Sequence, residues 1–117
     1  MTDVFKAFNV EQFTYDSDVD REFISLKQLE ELFGMEAEHS LLCLYINEEG
    51  LYGPQANAVL ENHVVNLPRA LTGTVREVLK EPLAVRQINE GLVKIKLREY
   101  DNKYGRQLTI NIVKSRS

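Results

Sequence analysis

Two alternating runs near the carboxy-terminal end constrain the fold more than anything else in the sequence. They read LVKIKLREY and RQLTINIVK, separated by DNKYG, and together span Leu92 to Lys114. Val93, Ile95 and Leu97 alternate with Lys94, Lys96 and Arg98; Leu108, Ile110 and Ile112 alternate with Gln107, Thr109 and Asn111. A period of two puts successive side chains on opposite faces of an extended chain, so each run is a half-buried strand. Asp101 to Gly105 supply the Asp, Asn and Gly that tight reversals favour. The pattern predicts a β-hairpin with one apolar face and one basic face.

A chain of 117 residues fits one domain. With 44% hydrophobic and 27% charged residues it has the balance of an ordinary globular protein. No run approaches the roughly 20 apolar residues that cross a bilayer as a helix, so no membrane partner is expected. The opening MTDVFKAFNV lacks the basic start and long apolar core of a secretory signal, which predicts a cytoplasmic protein. Cys43, the single cysteine, lies in the apolar run LLCLYI and reads as a buried core thiol.

Charge is unevenly spread. Residues 1–40 carry ten acids and three bases, residues 41–91 six and four, and residues 92–117 two and seven. Two readings of that split stay open. The basic end faces a polyanion, or the acidic amino-terminal half lies against the basic hairpin.

Ahead of the hairpin, residues 3–15 are rich in Val, Phe and Tyr and predict one or two short strands. Asp16, Asp18 and Asp20 crowd into a polar turn. An EF-hand loop counted from Asp16 needs Gly and Glu where Arg21 and Lys27 stand, so calcium binding fails on spacing. Ser25 and Gln28 form a capping-box pattern that opens a helix with Leu26, Leu29 and Phe33 on one face and Gly34 as its stop. SLLCLYIN, residues 40–47, predicts a strand buried on both faces, followed by a loop at Gly50, Gly53 and Pro54. That loop lacks the Lys-Ser/Thr of a phosphate-binding P-loop. Residues 56–67 suggest another strand, in their second half, and Asn66 with Pro68 suggests a helix start. Residues 68–90 then form two short helices, or one kinked at Pro82, ending at Gly91.

No nucleophile–base pair, paired buried carboxylates or metal-ligand spacing is legible, so the expectation is a non-enzymatic protein without a cofactor. His39 and His63 read as separate residues satisfied by nearby polar groups. The hairpin's outer face is the candidate site. Lys94, Lys96, Arg98 and Tyr100 point one way along one strand, with Lys103, Tyr104 and Arg106 ringing the tip and Thr109 and Asn111 on the same face of the partner strand. Cations that follow phosphates and aromatic rings that stack bases are how single-stranded nucleic acid is held. The same row also fits a strand face that merely solubilises, because long cationic stems lie over apolar surface.

The central SLLCLYINEEGLYGPQ and the closing INEGLVKIKLREYDNKYGRQLTINI resemble the PrgU-type proteins of enterococcal pheromone-inducible conjugative plasmids, over essentially the whole chain. The resemblance implies an α+β, PUA-like fold, a small mixed pseudo-barrel flanked by short helices and associated with RNA binding. It implies a regulator that restrains production of the plasmid's surface adhesins at the transcript level, and it brings no catalytic residues. A net charge of −4 departs from a simple electrostatic account and requires binding to be local to one face. Two other partners stay open: a basic regulatory protein engaged by the acidic amino-terminal half, and single-stranded DNA during plasmid transfer.

Overall fold

The computed structural model describes residues 13–16, 18–51 and 53–114. Its elements follow in order: β1 (Glu22–Ile24), α1 (Leu26–Phe33), β2 (Glu38–Ser40), β3 (Cys43–Asn47), β4 (Gln55–Val59) and β5 (His63–Asn66). A 3₁₀ turn at Arg69–Leu71 leads into α2 (Thr72–Leu79), α3 (Pro82–Asn89), β6 (Val93–Asn102) and β7 (Gly105–Lys114). The result is an α+β protein with two sheets, ordered β1-β5-β4-β3 and β2-β6-β7. Among the described residues, only the β1–β5 pairing is parallel.

One continuous stretch serves both sheets. β2 pairs with β6, and β3 pairs with β4. Between them the Leu41 N–H donates to the Val93 carbonyl at 3.0 Å, and the Leu42 N–H donates to the Val59 carbonyl at 2.8 Å. The chain therefore changes sheets between consecutive residues without orphaning a backbone donor. What reads as one strand over residues 40–47 is the tail of β2, this switch, and β3. α1 touches both β5 and β7, one strand of each sheet, and so bridges the gap between them. Among the described residues no ladder joins β1 to β7, so the two sheets do not close into a barrel.

The main core lies between the sheets and the helices, with Leu29, Leu41, Val65 and Ile95 closed off completely or nearly so. Val93, Ile95 and Leu97 of β6 face it, as the alternation predicts. Cys43 does not. With Val59 and Val64 it forms a second cluster on the other face of β3, against Phe13 and Tyr15. Burial pushes its thiol up to about 12, outweighing a hydrogen bond with Tyr15 that acts the other way.

Local signals explain the element boundaries. The Ser25 hydroxyl accepts from the Gln28 N–H at 3.1 Å, and the Gln28 side-chain oxygen accepts from the Ser25 N–H at 2.9 Å, which completes the capping box. Gly34 ends α1 at φ 85°, a conformation costly for other residues. Leu26 and Leu29 are buried on the predicted face, whereas Phe33 stays half-exposed. Pro82 separates α2 from α3 completely, with Glu81 in the extended conformation that a following proline favours.

Three expectations are corrected. The strand expected in the second half of residues 56–67 is β5, but the first half is a strand as well, β4, and the chain reverses between them at Leu60–Asn62, where the Leu60 N–H reaches the His63 carbonyl at 2.8 Å. Asn66 caps no helix; it ends β5, and α2 begins six residues later behind the 3₁₀ turn, with no side-chain cap. The strands expected over residues 3–15 fall mostly outside the described residues, and Phe13 to Tyr15 are not in a strand.

Candidate nucleic-acid interface

β6 and β7 each run ten residues, paired from Val93↔Lys114 to Asn102↔Gly105. Lys103 and Tyr104 alone make the reversal, so the connection is shorter than the five residues the composition suggests. Neither has a positive φ, which excludes the type I′ turn; Gly105 takes the left-handed position at φ 100°. The Asn102 side-chain oxygen accepts from the Tyr104 N–H at 2.8 Å, so the Asn expected at the reversal holds it by its side chain.

Directly opposed residues of an antiparallel pair share a face. The register therefore puts Lys94, Lys96, Arg98 and Tyr100 on the outer side with Val113, Asn111, Thr109 and Gln107 opposite them. Along the strand the four candidates recur at roughly 6–7 Å, near the spacing of phosphates in an extended single strand. Thr109 shares this side but is only 6% exposed, so it is not available as a contact. β2 adds Glu38 opposite Lys96 and Ser40 opposite Lys94.

Arg106 is not part of the row. It pairs with Asp101, one step out of phase with Tyr100, and so leaves the sheet on the other side. There its guanidinium donates to both oxygens of Glu30 on α1, with Nη1 to Oε1 at 3.1 Å, and its Nε donates to Glu99. These hydrogen bonds raise the Arg106 pKa and lower that of Glu30. Lys96 is engaged too: its ammonium lies 2.9 Å from Glu36, whose hydrogen bond holds Lys96 above the ordinary lysine range.

The reading in which the acidic amino-terminal half lies against the basic hairpin thus holds in part. Amino-terminal acids neutralise Arg106 and Lys96. Lys94, Arg98 and Lys103 have no ion-pair partner among the described residues, and Lys103 sits 5.1 Å from the Tyr104 ring centre. Tyr104 at the tip is 77% exposed, and Tyr100 is also open to solvent.

A feature missed in the sequence lies at the amino-terminal end of the same row. His39 on β2 and His63 on β5 converge on Phe33, the last residue of α1. Phe33 meets each edge-to-face, at 5.3 Å and 67° for His39 and 5.8 Å and 71° for His63. Around them opens a cleft of about 270 Å³ whose polar lining includes Glu38, Ser40, Glu61, Asn62 and Lys94. The His39 Nε2 is buried with no hydrogen-bond partner among the described residues. Burial, reinforced by the proximity of His63, lowers the His39 pKa. The histidines are therefore not two separately satisfied residues. Lys94 belongs to both the cleft and the outer row. No protein-family model, curated protein or solved structure matches the chain.

Proposed function

We propose that the protein is a non-enzymatic regulator that binds single-stranded RNA on the outer face of β6 and at the hairpin tip. The observation that carries the reading is the set of partly exposed Lys94 and exposed Arg98 and Lys103, beside Tyr100 and Tyr104, without carboxylate partners among the described residues of a net-acidic chain. Cations at strand spacing follow a phosphate backbone, and exposed tyrosines offer faces for bases. Lys96 contributes once its pairing with Glu36 yields to a phosphate; Arg106 serves as an anchor of the hairpin.

In this reading the two sheets and the helix across their open side are a variant of the PUA-like pseudo-barrel, and the biological role is that of the PrgU-type proteins, restraint of adhesin production at the transcript. Filter binding of a labelled transcript leader at low and moderate salt tests it. Wild type retains the RNA, and a Lys94/Lys96/Arg98 triple alanine variant loses it. Equal retention by both removes the site. Single-stranded DNA of the same sequence competes less well, since it lacks the 2′-OH.

The exposed turn carrying Asp16, Asp18 and Asp20 supports a second reading, in which a basic regulatory protein docks there. Loss of a captured basic partner on changing these three residues to Asn, with RNA retention absent in the wild type, favours that reading over the first.

A further inference from the structure

The cleft between β2 and the β4–β5 turn has a composition that the basic row does not explain. Three rings line it, and two of them, His39 and His63, stand edge-on to the third. Its polar groups are mixed in kind: Lys94, Ser40 and Asn62 can donate, and the Glu38 and Glu61 carboxylates can only accept. A phosphate site would gather cations and exclude carboxylates. A metal site is not formed either, since no trio of His, Cys, Asp or Glu among the described residues is grouped to hold an ion. Aromatic walls, a volume of about 270 Å³ and acceptors beside donors match a flat heterocycle with a hydrogen-bonding edge.

We infer that this cleft receives one unpaired nucleobase, splayed from a strand whose phosphates lie along Lys94 and Arg98. The inference rests on the RNA reading given above and adds a base-reading element to it. Lys94 joins the two: it lines the cleft, and its strand position begins the outer row. The carboxylates set the selectivity. Adenine, cytosine and guanine each present an exocyclic amine, which Glu38 or Glu61 can accept from. Uracil carries O4 where cytosine carries its amine, and its single edge donor, N3–H, lies between two carbonyl oxygens that repel a carboxylate.

NMR titration of the full chain with AMP, CMP, GMP and UMP tests the cleft by itself. Expected are shifts of the His39 and His63 ring signals with at least one amino-bearing monophosphate and weaker shifts with UMP. Phe33→Leu, at a half-exposed position where folding is preserved, weakens the response about tenfold, in line with the loss of one stacking surface. Glu38→Gln with Glu61→Gln narrows the gap between UMP and the others. Silence of both histidine rings with all four nucleotides overturns the inference, as do shifts confined to Lys94, Lys96 and Arg98, or equal responses to all four. Filter binding separates the two proposals. RNA retained by wild type and by Phe33→Leu alike, but lost by Lys94→Ala with Arg98→Ala, keeps the RNA reading and removes the base cleft. Monophosphates in the cleft with no RNA retained by the wild type remove both, because the cleft then reads no RNA.

Discussion

The Arg106 guanidinium forks onto the Glu30 carboxylate and so ties the last strand to α1, the helix that spans the open side of the two sheets. Glu30 is the more enclosed of the two side chains, 23% exposed against 45% for Arg106. A planar fork on a carboxylate is the geometry in which a surface pair contributes measurably. Arg106→Gln is expected to lower the urea midpoint modestly, and Glu30→Gln to add little once Arg106 is gone, because both remove one interaction. The decrement shrinks at high salt. RNA retention by Arg106→Gln stays closer to wild type than that of Arg98→Ala, since Arg106 leaves the sheet on the opposite side.

Salt dependence reports how many phosphates the outer row contacts. For single strands, each neutralised phosphate contributes roughly 0.7 to the slope of log affinity against log salt. Lys94→Ala and Arg98→Ala are each expected to lower that slope by about one such step and to weaken all RNA sequences alike. Lys96→Ala lowers it less, because its ammonium must first leave Glu36. Measured slopes across a salt series, for the three variants beside wild type, check the ranking.

Leu29 projects from α1 into the main core and is fully closed to solvent. Leu29→Ala removes buried methyls and leaves a cavity between the helix and the sheets, at a cost of about 2–5 kcal/mol. Leu83 on α3 is 60% exposed, and Leu83→Ala stays within about 0.5 kcal/mol of wild type. Urea unfolding of the two variants measures both. A small loss at Leu29 contradicts the placement of α1 as the element that covers the gap between the sheets.

Cys43 gives a direct probe of the second cluster. It is packed with Val59 and Val64, its thiol is pushed up to about 12, and the thiolate is the reactive form. The native protein is expected to resist a thiol reagent near neutral pH and to react promptly in urea. Val64→Ala, which opens the packing beside it, raises the native labelling rate.

Much of the fold follows from patterns local in sequence. The alternation in β6 and β7, the Ser25/Gln28 capping box and the break at Pro82 each act over a few residues, and each is where the pattern puts it. The sheet switch at Leu41 and Leu42 has no such signal, because it depends on Val93 and Val59, far along the chain. The same limit applies to the site. Lys94, Lys96, Arg98 and Tyr100 share a face by strand parity alone. A five-residue reversal puts Arg106 at the tip. With only Lys103 and Tyr104 turning, its side chain goes to the other face. The meeting of Phe33, His39 and His63 needs α1, β2 and β5 assembled, and no spacing among the three encodes it.

That meeting has a consequence for acid stability. The groups lining the cleft with His39 are His63, Lys94, Glu38 and Glu61, with Phe33, Ser40 and Asn62 completing the polar and aromatic walls. Burial, then the nearby His63, holds His39 below its ordinary value of 6.5 in the folded chain. Between 6.5 and that lower folded value, the unfolded chain carries a proton that the folded chain does not, so stability rises with pH across the window. The contribution is complete above 6.5 and is lost as the pH falls through the folded value. Wild type is therefore expected to show a lower urea midpoint on the acid side of 6.5 than on the neutral side. His39→Gln, which cannot take up the proton, flattens that difference, and an NMR titration of the His39 ring shows a midpoint below 6.5. A midpoint at or above 6.5 contradicts the burial of this imidazole against Phe33 and His63.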